Sequence, residues 1–312
     1  MSDDRLENKM SGILDDFKNA FAKRNNGLIQ LIWLNVAVYV VMLIFLITAT
    51  VFFKRPDIFE DVLSYFSVTP AMGTFLFRPW TILTYSLFHA VNPISHLLPN
   101  MLMLYWFGAI IQEFLGSRRL VNLYILGAIF GGALALIAFN SLPYYQGAIN
   151  TTIIGASGSV MAIMFAAATL MPDYTFFLFL IGPVRIKYIA FFFFLVSLAG
   201  AIGTNAGGGI VHMGGALLGY LYVKQLQGGR DWGTPIDATV EFFQNLFKRA
   251  EKPTIKVTHR QKESMYSNTP ASVGGAYPDD DEVDEILDKI SRSGYESLTK
   301  EEKQKLFKAS QK

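Results

Sequence analysis

Six long apolar runs, with charge concentrated in the loops and ends around them, constrain this chain more than any other feature. In lipid a segment must satisfy its own backbone N–H and C=O groups, so each run is expected to be a helix. At roughly 1.5 Å per residue, about 20 residues cross a hydrocarbon core about 30 Å thick. The expected spans are 28–53, 96–116, 120–139, 153–171, 188–202 and 210–225. Composition agrees, with 52% of residues apolar, 17% charged, and the charges gathered before Asn26 and after Lys224. Orientation follows from the positive-inside rule. Arg5, Lys9, Lys18, Lys23 and Arg24 precede the first span, Arg118 and Arg119 follow the second, Arg185 and Lys187 precede the fifth, and Lys224 and Arg230 close the sixth. Both termini are therefore expected in the cytoplasm. Lys54 and Arg55 fall on the outer side, partly offset by Asp57, Glu60 and Asp61.

The expected fold is an all-α membrane protein: a six-transmembrane-helix bundle, then a cytoplasmic amphipathic helix, a linker and a small helical hairpin. Its parts are a cytoplasmic N-terminal segment (1–27), the six-span domain (28–226), the juxtamembrane helix (227–251), a flexible linker (252–278) and the hairpin (279–312). Segment 1–27 lacks the short apolar core and small-residue cleavage site of a signal peptide, so the first span is expected to stay in the mature protein. Residues 54–95 are too polar to cross but carry Phe59, Tyr65, Trp80 and Phe88 among other aromatics, as a segment in the outer interface does. A folded extracytoplasmic loop is the other reading. Ile236, Val240, Phe243 and Phe247 recur at helical spacing beside Lys248 and Arg249, which suits a helix on the inner leaflet. In the hairpin, Val283, Ile286, Leu287 and Ile290 form one stripe and Thr299 with Glu302 has the spacing of a capping box. That hairpin is a candidate site for a soluble partner.

A net charge of +2 offers no electrostatic footprint for nucleic acid. With no cysteine there is no disulfide, thiolate nucleophile or zinc–thiolate site. Chemistry must come from other groups. Ser157 stands in the run GASGS, and a serine within a span usually bonds the backbone or packs as a small residue. Here Gly155 and Gly158 permit a tight entry into the helix and leave N–H groups free at its start, aimed at any anion that forms there. His212 is one of four histidines in 312 residues, and an ionisable group inside a span reads as functional. A histidine tied to a backbone carbonyl between helices is the alternative. Gly215 and Gly219 share its face and let that face press against a neighbouring helix. If that neighbour carries Ser157, His212 supplies the base a hydroxyl needs to attack a carbonyl. His96 and Asn100, four apart on one helix face, offer two donors for an oxyanion hole. No Asp or Glu falls in the last three spans, so Ser157 and His212 would form a dyad rather than a triad. A metal held by His89, His96 and His212 would lack any carboxylate or cysteine nearby in the sequence, and no cofactor is expected.

Over roughly 80–222 the chain resembles the rhomboid intramembrane serine proteases, through FHAVNPISHLLPNMLMLYWFG, the GASG run with Ser157, and VHMGGALLGYLY, in matching order and spacing. The resemblance implies a six-span bundle with Ser157 as nucleophile and His212 as general base. It also implies that His96, Asn100 and the backbone N–H of Ser157 bind the oxyanion, and that Glu113 is a structural carboxylate near the inner end of the second span. Residues 54–95 look like the family's lateral interfacial loop, and the fifth span like its substrate gate. Met161 stands where well-known members carry an aromatic residue that stacks on the base histidine, and Thr81 follows Trp80 where many carry arginine. The implied partners are transmembrane protein substrates and the lipid bilayer. The implied setting is a bacterial inner (plasma) membrane. A non-catalytic rhomboid relative that binds membrane proteins or serves their quality control is the alternative.

Overall fold

The computed structural model describes residues 26–91, 96–179, 181–203, 205–247 and 280–309. The linker 252–278, Lys248, Arg249 and all but the last two residues of segment 1–27 lie outside them. Two compact units share the chain, Met1–Ala250 and Glu251–Lys312.

The first unit opens with α1 (Gly27–Ile47), prolonged by a π-helical turn, Thr48–Phe52. Its buried residues Leu28, Leu31, Asn35, Tyr39 and Met42 recur at three and four, which puts one stripe against the bundle and leaves Val41 and Ile44 exposed. Residues 54–91 then fold into three short helices, α2 (Pro56–Ser64), α3 (Met72–Phe75) and α4 (Thr81–Thr84). Aromatic and polar contacts tie this segment together. Trp80 Nε1 donates to Tyr65 O at 2.9 Å, Phe66 stacks on Phe88 with centroids 4.6 Å apart, and the Arg78 guanidinium lies 3.8 Å over the Tyr65 ring.

There follow α5 (Leu97–Leu115), α6 (Ser117–Ser141) and α7 (Ser157–Leu170), a hairpin of β1 (Thr175–Leu178) with β2 (Gly182–Arg185), then α8 (Ile186–Gly200), α9 (Ala206–Gln227) and α10 (Thr234–Phe247). Among the described residues three helices are long and apolar enough to cross a membrane: α1 with its extension, α6 and α9. The other two apolar helices of note, α7 and α8, are shorter. At about 1.5 Å per residue α7 spans only about 21 Å. The expected fourth span, 153–171, is therefore shortened from its N-terminal end. Ile153 pairs with Val68 in an isolated antiparallel bridge, and Gly155 at φ +122° takes a conformation that cannot begin a helix. The β-hairpin is a local departure from an all-α chain. It pairs Phe176 with Val184 and Leu178 with Gly182, and Gly182 at φ +90° turns the chain where a side chain would be strained. Phe176 packs edge-on against Phe107 at 5.3 Å, which fastens the hairpin to α5.

Small residues let α6, α7 and α9 approach at backbone distance. A Cβ on Gly127 of α6 would lie 2.8 Å from the Ser159 Cα of α7, and one on Gly214 of α9 would lie 2.9 Å from the Gly131 Cα of α6. At the end of the bundle where α5 stops and α6 starts, polar groups close the structure. Gln112 Oε1 accepts from the Leu28 N–H at 2.9 Å and from Ser117 Oγ at 2.9 Å, while its neighbour Glu113 is exposed. The polar role that the resemblance assigned to Glu113 is thus filled one residue earlier, on the buried side of the helix.

Asp231 clamps the same end. Its carboxylate accepts from Arg119 Nε at 2.9 Å, Tyr222 Oη at 2.9 Å and the Gly233 N–H at 2.8 Å, and nearby Asp237 of α10 pairs with Arg118 and accepts from Asn122. α10 is held by this polar face and exposes Val240, Phe242, Phe243 and Leu246 elsewhere. Partial burial alone would raise the Asp231 pKa, but the bonds from Arg119, the Gly233 N–H and Tyr222 outweigh it and hold the carboxyl below its usual range. A carboxylate with a depressed folded-state pKa stabilises above its unfolded value, about 3.9, and that contribution is lost as pH falls through the folded value. Protection of the α10 amides against hydrogen exchange, taken relative to the intrinsic rate at each pH, is therefore expected to fall below about pH 4 in the wild type, whereas Asp231→Ala lowers it already at neutral pH.

The second unit is α11 (Asp280–Ser293) and α12 (Lys300–Ala309). The Thr299 N–H donates to Glu302 Oε2 at 2.7 Å and the Glu302 N–H to Thr299 Oγ1 at 3.3 Å, a reciprocal cap. Lys289 bonds the same carboxylate at 2.8 Å and, with the Thr299 N–H, pulls the Glu302 carboxyl down to about 2. Ile286 and Leu298 are buried between the helices, and Leu287 remains half exposed.

Candidate active site

His96, Asn100, Ser157 and His212 line one cavity of about 320 Å³, walled further by residues 151–154 and by Asn205, Gly207 and Gly208. It lies where α5, α7 and α9 all begin, opposite the end closed by Arg119 and Asp231.

Ser157 is the first residue of α7, and no side chain caps that N-terminus. The N–H groups of a helix's first turn have no partner within the helix and carry its positive partial charge. Preceding residues are fixed from outside: the Gly155 N–H donates to Tyr85 O at 2.9 Å and the Ala156 N–H to His89 Nε2 at 3.3 Å. The serine is thus delivered on a pinned turn.

His96 stands at the start of α5 and its Nδ1 accepts from the Ala90 N–H at 3.2 Å. An imidazole that accepts at Nδ1 carries its proton on Nε2 when neutral, so His96 presents a donor there. A Cβ at Gly155 would lie 2.9 Å from that Nε2 and 3.7 Å from Ser157 Oγ. Glycine at 155 therefore keeps open the space between donor and hydroxyl. Asn100 spends one amide hydrogen on His96 O at 2.7 Å and retains a second for the cavity.

His212 sits in the second turn of α9, and its Nδ1 lies 3.1 Å from Ser197 Oγ on α8. No hydrogen bond joins Ser157 to His212 among the described residues. Gly215 and Gly219 lie against the carbonyl oxygens of Gly158 and Ala162, and Gly158 against the side chain of Val211, so α9 crosses α7 with no side chain between them at these points.

Two residues in this arrangement have roles that the sequence does not mark. His89 reads from sequence only as a possible metal ligand, yet it holds the Ala156 N–H and its ring meets His96 edge-on at 5.3 Å. Ser197 gave no signal, being one serine in an aromatic run.

Comparison with known proteins gives two family matches: the rhomboid domain over residues 77–227, and DUF6576, a family of unknown function, over 278–312. RHOMBOID-like protein 12, mitochondrial, of Arabidopsis thaliana is 31% identical over 163 residues, 49% of this chain and 48% of that protein. The presenilin-associated rhomboid-like protein, mitochondrial, of Bos taurus is 23% identical over 246 residues, 74% of this chain and 55% of that protein. The human protein of the same name is 22% identical over 234 residues, 72% of this chain and 52% of its own length. The chain spans about half the length of these curated relatives. Their names place those relatives in mitochondria, so the expected bacterial plasma membrane draws no support from them.

Proposed function

We propose, from the premise that this chain belongs to the rhomboid family through residues 77–227, that it is an intramembrane serine endopeptidase acting on transmembrane segments of other proteins. The observation that carries the reading is the single cavity lined by Ser157, His212, His96 and Asn100. Ser157 Oγ attacks the scissile carbonyl carbon as His212 takes the hydroxyl proton. His96 Nε2–H, the Asn100 amide and the N–H groups at the start of α7 receive the oxyanion. Collapse breaks the C–N bond and His212 returns its proton to the leaving amine. Water then attacks the acyl ester, His212 again taking the proton, and Ser157 is released with a new carboxyl terminus. A helical substrate is bonded to itself, so the scissile bond must first be unwound, which favours sequences with small or helix-weakening residues.

In this reading the bundle is a six-span domain with both termini on the cytoplasmic side, residues 54–91 rest at the outer interface, α10 lies along the inner leaflet, and the α11–α12 hairpin recruits a soluble partner. A second reading, a non-catalytic binder or quality-control factor for membrane proteins, is favoured by one observation, the lack of a Ser157–His212 hydrogen bond. A fluorophosphonate probe separates the two. The protease reading expects stoichiometric labelling that Ser157→Ala abolishes, together with cleavage of a reconstituted single-span reporter. A folded wild type that takes up no label and cleaves nothing assigns the chain to the binding class.

A further inference from the structure

We infer that Ser197 is a positioning residue for His212: its hydroxyl holds the ring in the tautomer that leaves Nε2 unprotonated and facing the nucleophile. The inference rests on the hydrolase reading of Ser157 and His212. It begins with a hydroxyl that is committed elsewhere. Ser197 is buried on α8, and its Oγ donates to Phe193 O one turn earlier at 2.7 Å while lying 3.1 Å from His212 Nδ1. A serine has one hydroxyl hydrogen and two lone pairs. With that hydrogen on the Phe193 carbonyl, Ser197 Oγ can only accept from the ring, so Nδ1 carries the proton. Nε2 is left with a lone pair, which is the form a general base must have.

A triad gives this work to a buried aspartate, which fixes the tautomer and orientation of the imidazole. Here α8, the helix that meets His212 Nδ1, offers no carboxylate, and the oriented oxygen of Ser197 fills the geometric part of that role without its charge. The bond also answers how His212 is held when residue 161 is methionine: it is held at Nδ1 from the neighbouring helix. Because α8 shows Phe191, Phe192, Leu195 and Val196 to its surroundings, displacing this helix would carry Ser197 away from the ring.

The test uses full-length protein with ¹⁵N-labelled histidine in lipid. Four histidines occur in the chain, and a His212→Gln sample identifies the His212 signals by difference. Wild type is expected to show a protonated Nδ1 and an unprotonated Nε2, and Ser197→Ala to show a growing share of the opposite tautomer. The rate of fluorophosphonate labelling should fall about 10- to 100-fold, the scale known for partners that orient a metal-bound histidine, with the reporter KM unchanged. Thr and Val at 197 form an isosteric pair that differs in the hydroxyl alone. Ser197→Thr should restore both tautomer and rate because threonine keeps a hydroxyl bonded one turn back, and Ser197→Val should not. A wild-type tautomer in both Ser197→Ala and Ser197→Val overturns the inference, even if thermal stability falls, because the bond would then be only a tie between α8 and α9. The tautomer is read without turnover and in a Ser157→Ala background too, so a wild type that takes no probe would remove the protease reading while leaving the hold of Ser197 on the ring decided by the spectra.

Discussion

Ser157→Ala and His212→Ala are each expected to lower kcat by roughly 10⁶-fold, and the double substitution to cost no more than either alone, as for catalytic serine and histidine pairs that act as one unit. The reason is the chemistry of the hydroxyl. At neutral pH a serine attacks a peptide carbonyl only as its proton leaves, and the base proposed to take it is His212 Nε2, whose ring is engaged at Nδ1 by Ser197. His96 Nδ1 is occupied by the Ala90 N–H, which leaves that histidine a donor, so it does not substitute for the missing base. Loss of His96 or Asn100 should cost less, about 10²- to 10³-fold each, since each removes one oxyanion donor and spares the helix N–H groups. Single-turnover cleavage of a reporter in proteoliposomes, with variants matched in thermal midpoint, reads all of these. A double variant whose loss equals the product of the two single losses would mean that Ser157 and His212 act independently, and the dyad would fall.

Much of the helical bundle is legible in the sequence because bilayer-scale apolar runs carry the strongest local signal a chain can give. The run containing Ile153 shows the limit of that signal. Apolar content continues through Ile153, Ile154 and Ala156, and hydropathy reads these residues as helix. What stops the helix is long-range: the Val68–Ile153 bridge and the bonds from Gly155 and Ala156 to Tyr85 and His89, partners 67 to 85 residues earlier. The β-hairpin after α7 is hidden for a related reason. Burial alternates along its strands, but each has only four residues and the sequence of β1, TFFL, is a continuous apolar run that does not separate a strand from a short helix. By contrast the cap formed by Thr299 and Glu302 was readable because both halves of it lie within one turn.

For the candidate site, residue type is legible in the sequence and ring orientation is not. Ser157, His96, Asn100 and His212 stand out by residue type and by rarity in apolar surroundings, and the cavity gathers all four. Which nitrogen of each ring is protonated depends on Ala90 and Ser197, ordinary residues whose importance comes from where α5 and α8 pack. Glu113 and Gln112 make the same point: the sequence marks the charge, but the helix turns the amide inward.

Gly215→Val and Gly219→Val are expected to destabilise the first unit by more than about 3 kcal/mol each, at the upper end of overpacking costs. Any Cβ at 215 would overlap the carbonyl oxygen of Gly158, and at 219 that of Ala162. Overpacking is tolerable when a flexible side chain can swing aside, but both obstacles here are backbone within a helix. Moving Gly158 O would unwind the turn that presents Ser157; moving α9 outward would carry His212, three residues before Gly215, away from the cavity. Stability and catalysis should therefore fail together, and Gly215→Ala, adding only a methyl, should lower labelling of Ser157 before it unfolds the protein. Gly147→Ala, which meets nothing within 4 Å, is the matched control and should stay within about 0.5 kcal/mol of wild type. Thermal unfolding in detergent with parallel probe labelling reads both effects. A Gly215→Val protein with the wild-type midpoint and labelling rate would mean that α7 and α9 do not meet at Gly158, and the geometry that brings His212 towards Ser157 would go with that contact.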